Sequence, residues 1–298
     1  NGKLIGCKDF KISHVLTDSR LVSFPEESIF IALKTMKNDG HRYISDLYKK
    51  NVHCFLVGNY NEEVAQLKDA TFIVVDDTLS ALQTWAKHHR EQYHIPVVGI
   101  TGSNGKTIVK EWLYQLLSKD YRITRSPRSY NSQIGVPLSV LQLSENTELA
   151  IFEAGISTTH EMERLQPIIQ PTIGIYTNLG DSHQENFNSA KIKGAEKAKL
   201  FQNCQTIIYN KEDKLVDICI QQNCKNSQTL AFGDKHGNGD VCIVEKKSGN
   251  GKSTIAYEYK GKKDELTIPF TDNASIENAL HCLCVMLHLG ISTDEISH

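Results

Sequence analysis

The sequence predicts an α/β protein in two parts. Residues 1–79 read as a small α/β domain, and residues 80–298 as a mostly parallel, doubly wound sheet built behind a glycine turn and extended by an antiparallel hairpin. Three observations carry this. From residue 97, apolar β-rich segments alternate with helical ones, as in a parallel sheet covered on both faces. The run Val97-Val98-Gly99-Ile100-Thr101-Gly102-Ser103-Asn104-Gly105-Lys106-Thr107 passes from strand through a glycine turn into a helix. Beyond residue 240 the alternation gives way to two strand-like runs joined by Ser248-Gly249-Asn250-Gly251-Lys252, a hairpin signal.

In the first part, 28–33, 54–57 and 71–75 are apolar runs of strand length, with a helical stretch near 43–50. A helix from 79 to about 93 leads to Ile95-Pro96, where the second sheet starts. Strand-like segments follow at 97–100, 122–124, 149–152, 173–177, 206–209 and 229–232. The hairpin strands lie at 241–244 and 254–259, a further run at 266–270, and a long apolar helix at 274–289.

Composition bounds the function. With 298 residues, 40% of them hydrophobic, the chain is long enough for two cores. A formal charge of -2 gives no footprint for nucleic acid or an anionic membrane. No apolar run approaches the ~18 residues of a membrane span and no signal-like stretch opens the chain, so a cytoplasmic protein is expected; a monomer is expected as well. The eight cysteines form no C-x-x-C pair and read as reduced, buried thiols.

The glycine turn is where a phosphate should sit. Gly102 and Gly105, with Ser103 and Asn104 between them, let backbone N–H groups approach phosphate oxygens; Lys106 brings a point charge, and the Thr107 hydroxyl reaches a magnesium ion. At ~4 Å and an effective dielectric near 20, the Lys106 attraction is about 4 kcal/mol. Behind the turn Val109, Trp112, Leu113, Leu116 and Leu117 recur at helical spacing. The carboxyl ends of the other parallel strands are the next place to look. Glu153 follows Ala150-Ile151-Phe152 and precedes Ala154-Gly155, which leaves a carboxylate suited to magnesium at a strand tip. His183 comes just past the next strand, and Lys197 lies in a basic helical run that by its own pattern is a solvated face.

The turn departs from the common G-x-x-x-x-G-K-[ST] loop, because Ile100 stands where the first glycine would be. The shorter G-x-x-G-K-T, preceded by Ile-Thr, resembles the ATP loop of the Mur ligase family. Other runs share the resemblance. They are Asn178 with His183 five residues later, Lys197 four residues before Phe201, and Asn131-Ser132-Gln133-Ile134-Gly135-Val136-Pro137. In the first part they are Thr17-Asp18-Ser19-Arg20, Ser28-Ile29-Phe30-Ile31-Ala32-Leu33 and Asp39-Gly40-His41, the last of which by itself reads as a turn. On the final helix, Ala274-Ser275-Ile276-Glu277-Asn278-Ala279-Leu280 resembles the family's H-N-x-x-N-A-L.

The resemblance implies ATP and Mg2+ as ligands. It places His183 with Thr107 and Glu153 on the metal, along with a carbamylated Lys197, and makes Lys106, Lys197 and His183 the catalytic groups. It puts Asn278 at adenine, and Ser19, Arg20, Lys37, Asn38, Asn131 and Ser132 toward a UDP-linked substrate. Through its Ile-Gly-Val-Pro run the chain resembles the branch that attaches D-alanyl-D-alanine to UDP-N-acetylmuramoyl-tripeptide, an ADP-forming ligation of peptidoglycan synthesis. The family's C-terminal domain, which takes the dipeptide, is expected to be absent. The other readings are the related ligase acting on UDP-N-acetylmuramoyl-dipeptide and a nucleotide-binding fragment without turnover. Asn210-Lys211-Glu212-Asp213 resembles the guanine-reading N-K-x-D of regulatory GTPases, but no D-x-x-G lies between the glycine turn and that run.

Overall fold

The computed structural model describes residues 2–6, 9–36, 38–180, 187, 189–234 and 239–291. The chain divides into two compact units, one through Trp85 and one from Ala86.

In the first unit, strands β1 (Lys3–Ile5), β2 (His14–Leu16) and β3 (Ser28–Ile31) precede helix α1 (Ile44–Lys49). Then come β4 (Cys54–Val57), α2 (Glu62–Ala65), β5 (Thr71–Val74) and α3 (Thr78–Arg90). The sheet order is β1-β5-β4-β3-β2, with β2 to β5 parallel and β1 antiparallel on β5. β3 and β4 are buried at every position, which is why they show in the sequence as unbroken apolar runs. β1 and β2 are three residues long and partly exposed, so they leave no such mark. Phe55 and Phe72 stack at 5.3 Å in a core shared with Phe30, Ile44 and Leu47.

The division falls within α3 rather than at 79/80. Thr78 Oγ1 donates to Ala32 O at 3.1 Å within the first unit, whereas Arg90 Nε donates to Ile169 O at 2.9 Å within the second.

The second unit alternates strand and helix as expected. In order it contains β6 (Val97–Thr101), α4 (Lys106–Leu117), β7 (Ile123–Arg125), α5 (Gly135–Val140), β8 (Leu149–Glu153), α6 (Met162–Ile169) and β9 (Ile173–Tyr176). These are followed by α7 (Ala190–Ala198), β10 (Thr206–Asn210), α8 (Lys214–Asn223), β11 (Gln228–Asp234), β12 (Val241–Gly249), β13 (Lys252–Tyr259), β14 (Lys262–Ile268) and α9 (Asn273–Leu289). The sheet order is β14-β13-β12-β11-β10-β9-β6-β8-β7. Neighbours from β7 to β12 are parallel, and β12, β13 and β14 pair antiparallel, so the expected hairpin gains a third strand. β14 stops before Pro269, which has no N–H for a ladder, and Phe270 instead stacks on Trp112 at 5.2 Å.

Alternate strand residues feed two cores, as the period of two requires. Val98, Ile100, Leu149, Ile151, Ile173 and Ile175 pack with α4 and α9, while Val97, Ala150, Phe152, Tyr176 and Ile207 pack with residues of α5 to α8. β6 sits between β8 and β9, so the chain adds strands on one side of it and then crosses to the other. In open parallel sheets ligands bind at that switch point. No helix among the described residues is long and apolar enough to cross a membrane.

Leu113 has no exposed surface and lies in the core between α4 and the sheet. Leu113→Ala is expected to cost about 2–5 kcal/mol, read as a lower urea midpoint for the second unit.

Candidate functional site

After Thr101 four residues turn the chain into α4 at the switch point. Gly102 has φ +144° and Gly105 φ +83°, backbone that L side chains rarely adopt. Space adds to this: a Cβ on Gly102 would meet Thr177 Oγ1 at 2.0 Å, and one on Gly105 would meet Asn278 Oδ1 at 2.4 Å. The turn is braced from the tip of β9. Asn178 O accepts the Ser103 N–H at 2.9 Å, Asn178 Oδ1 accepts the Asn104 N–H at 3.1 Å, and Thr177 Oγ1 donates to Asn104 O at 2.6 Å. Ser103 Oγ donates to Gly180 O at 3.1 Å. The amides of Ser103 and Asn104 are therefore turned to β9, and those at the start of α4 are the ones left open to an anion.

Two lysines converge on one carbonyl. Lys106 Nζ donates to Gly102 O at 2.8 Å and Ser103 O at 3.2 Å, and Lys197 Nζ on α7 donates to the same Gly102 O at 3.1 Å. Burial holds the Lys106 ammonium below the usual lysine range, against the pull of nearby Glu153. Burial, and then repulsion from Lys106 and Lys193, brings Lys197 down to about 7. Lys193 donates to Gly180 O at 2.5 Å. The run expected to be a solvated face thus turns Lys193 and Lys197 inward, at 1% and 4% exposure. Their i, i+4 spacing puts both on one side of α7. Lys199 lies off that side and pairs with Glu163 and Glu196 at 2.6 Å each.

Glu153 is fully buried at the tip of β8. Its Oε2 accepts from Thr107 Oγ1 at 3.0 Å and Asn131 Nδ2 at 3.4 Å. Its Oε1 lies 3.1 Å from Lys110 Nζ, a charge contact not aligned as a hydrogen bond. Lys110, also fully buried, donates to Ser126 O at 2.8 Å and to Arg128 O. Sequence reasoning passed over this lysine. The signal was there, because it stands three residues before Leu113 and seven before Leu117, in register with the buried stripe of α4.

The oxygens of Thr107 and Glu153 fit a magnesium ion, which takes one or two protein carboxylates and completes its octahedron with water and phosphate oxygens. Among the described residues no group of three or more His, Cys, Asp or Glu side chains is placed to hold a metal.

Of the other predicted residues, His183 and Lys37 lie outside the described residues. Asn131 stays by Glu153 and accepts the Gly155 N–H on its carbonyl at 2.7 Å. Ser132 Oγ accepts the Gly135 N–H at 3.2 Å, in the turn that leads into α5. Asn278, 5% exposed, sits against Gly105. In the first unit Ser19 is half-buried and Arg20, 85% exposed at its side chain, forks onto Asp18, while Asn38 Oδ1 accepts from Tyr43 Oη at 3.2 Å. Asp39-Gly40-His41 is more than a turn: His41 Nε2 accepts the Gly58 N–H at 2.9 Å, and Nδ1 bonds Asp39 Oδ1 at 2.6 Å. The N-K-x-D run is consumed within the fold. Asn210 donates to Glu277, Lys211 pairs with Asp217, and Asp213 caps α8.

The Mur ligase middle domain family matches residues 100–286. A UDP-N-acetylmuramoyl-tripeptide–D-alanyl-D-alanine ligase of Bacillus subtilis is 31% identical over 95% of this chain and 60% of its own length. The enzyme of that name from Borreliella burgdorferi is 31% identical over 98% of this chain and 67% of its own. Among solved structures, MurF from Acinetobacter baumannii superposes with a TM-score of 0.86 at 25% identity, covering 96% of this chain and 62% of that one. MurF from Thermotoga maritima in complex with ADP gives 0.83 at 22% identity, covering 98% and 67%. The chain thus spans about 60% of the length of the Bacillus subtilis relative. A match running from Ile100 near the end of β6 to Met286 in the last turn of α9, and so through every segment that meets at the glycine turn, shows that the chain belongs to the Mur ligase family.

Proposed function

We propose that this chain is the nucleotide- and UDP-substrate-handling part of an ADP-forming ligase that joins D-alanyl-D-alanine to UDP-N-acetylmuramoyl-tripeptide in the cytoplasm. The supporting observation is that Lys106, Thr107, Glu153 and Lys197 meet around one glycine turn, in a chain whose Bacillus subtilis and Borreliella burgdorferi relatives carry that name. In this reaction the γ-phosphoryl of ATP passes to the terminal carboxylate of the tripeptide, giving an acyl phosphate and ADP. The dipeptide amine then attacks the acyl carbon, an amide forms and phosphate leaves.

The chain's residues suit the first step. The opening amides of α4 and Lys106 hold the phosphates, Lys106 exchanging the Gly102 and Ser103 carbonyls for phosphate oxygens. Thr107 and Glu153, with His183, hold the metal. Bound Mg2+ offsets the charge on the phosphoryl oxygens. Asn278 contacts adenine, while Ser19, Arg20, Lys37 and Asn38, with Asn131 and Ser132, serve the UDP-linked substrate.

Lys197 is set up for carbamylation. Only a neutral amine adds carbon dioxide: a nitrogen–carbon bond forms, a proton leaves, and a cation becomes an anion. At an ordinary lysine pKa, roughly 0.03% of amines are neutral at pH 7, whereas at about 7 half of them are. The new carboxylate lies among Lys106 and Lys193, whose charge favours it.

Calorimetric titration with ADP and Mg2+ tests the nucleotide site. Lys106→Ala is expected to weaken binding roughly 10- to 100-fold, the 1.5–3 kcal/mol of a charge-assisted hydrogen bond; a wild-type protein that binds no nucleotide overturns the reading. Ligation is tested by phosphate release that requires ATP, the UDP-tripeptide and D-alanyl-D-alanine together. With labelled bicarbonate at fixed dissolved carbon dioxide, the carbamate carbon signal is expected to rise as pH passes upward through about 7. It should be missing in Lys197→Ala; a signal that persists there rules Lys197 out.

A further inference from the structure

We propose that Lys110 is a positioning residue that makes Glu153 a one-oxygen ligand and so sets a preference for Mg2+ over Ca2+. The inference rests on the metal–nucleotide reading above and concerns a residue that reading does not use.

The two oxygens of Glu153 are spent differently. Oε2 faces Thr107 Oγ1 at 3.0 Å, where the metal would be shared between them, while Oε1 is turned to Lys110 Nζ at 3.1 Å. A divalent ion bridging both oxygens would stand beside that ammonium and be repelled by it. Ca2+ takes six to eight oxygens and accepts a carboxylate through both, whereas Mg2+ demands a near-ideal octahedron and is satisfied by one. A cation held on the Oε1 side of Glu153 therefore disfavours the larger ion.

Lys110 is fixed firmly enough for this task. Its Nζ bonds the carbonyls of Ser126 and Arg128 and lies 3.0 Å from Glu111 Oε1. Glu111 is held in turn by Arg125, with Nη2 3.0 Å from Oε2, and the Arg125 guanidinium lies 3.6 Å over the Tyr114 ring. Charges of alternating sign thus run Arg125, Glu111, Lys110, Glu153, ending at the Thr107 hydroxyl. A residue needed only to fill the core here would be apolar, since an ammonium with no exposed surface carries a desolvation cost of several kcal/mol.

The test compares ADP binding in Mg2+ and in Ca2+ by calorimetry, for wild type and for Lys110→Gln, which keeps a donor for the Ser126 and Arg128 carbonyls but removes the charge. The Mg2+-over-Ca2+ ratio of affinities is expected to fall about tenfold in the variant. A ratio unchanged while both affinities drop together shows a merely structural lysine and overturns the proposal. Should Lys110→Gln lose its thermal unfolding transition, Lys110→Met is read by the same criterion. A crystal structure of wild type with Mg2+ and ADP decides independently of any variant: Oε2 alone within about 2.1 Å of the metal supports the proposal, and both oxygens on it overturn it. Failure of the underlying reading looks different, because wild type itself would then bind ADP without regard to divalent cation, or not at all.

Discussion

The carbonyl oxygen of Gly102 receives hydrogen bonds from two lysine side chains, those of Lys106 and Lys197, both largely withdrawn from water. Much of the second unit is arranged around keeping the Lys106 charge in place without cancelling it. Buried cations are normally neutralised by carboxylates. Here the nearest carboxylate, Glu153, is turned to Lys110 and Thr107, and the two lysines receive main-chain dipoles instead. A dipole stabilises the Lys106 ammonium but leaves its net charge intact, so an incoming anion finds an attraction that the fold has not already spent.

The sheet order makes this possible. Residues 102–107, 153, 178, 197 and 278 come from five separate stretches of sequence, and they meet because β6 is flanked by β8 on one side and β9 on the other. The tips of all three parallel strands therefore open on the same side. The segment that follows β9 contributes Asn178, which accepts the Ser103 and Asn104 N–H groups, and Thr177, which donates to Asn104 O, and together they set the shape of the turn. The two left-handed glycines are what allow the backbone to follow that shape.

Most of the architecture was legible because its elements are of the kind that declare themselves. Fully buried parallel strands such as β4, β8 and β9 read as continuous apolar runs, and α9 as a long apolar helix. Short, half-exposed β1 and β2 had no periodicity to find. At the site, Gly102, Gly105, Lys106 and Thr107 were legible through spacing alone, and Glu153 through its place at the end of a strand. The roles of Asn178 and Lys110 were not. A polar side chain that bonds main-chain atoms distant in sequence leaves no pattern, and a lysine on a core-facing stripe looks like an interruption until its partners after β7 and at the end of β8 are known. The basic run of α7 misled for the related reason that composition reports charge and says nothing of which lysines point inward.

Among the described residues the nine-stranded sheet ends in two borders, β7 and β14, the edges along which a strand from another molecule would extend it. β7 offers only three residues, too few for a stable ladder. β14 is longer, but it begins Lys262-Lys263-Asp264-Glu265 and ends against Pro269, so a copy pairing along it would have to bring charged side chains into register and would meet a proline where the ladder should continue. Aggregation through these borders is thus discouraged by the sequence of the border strands themselves, with no covering element required.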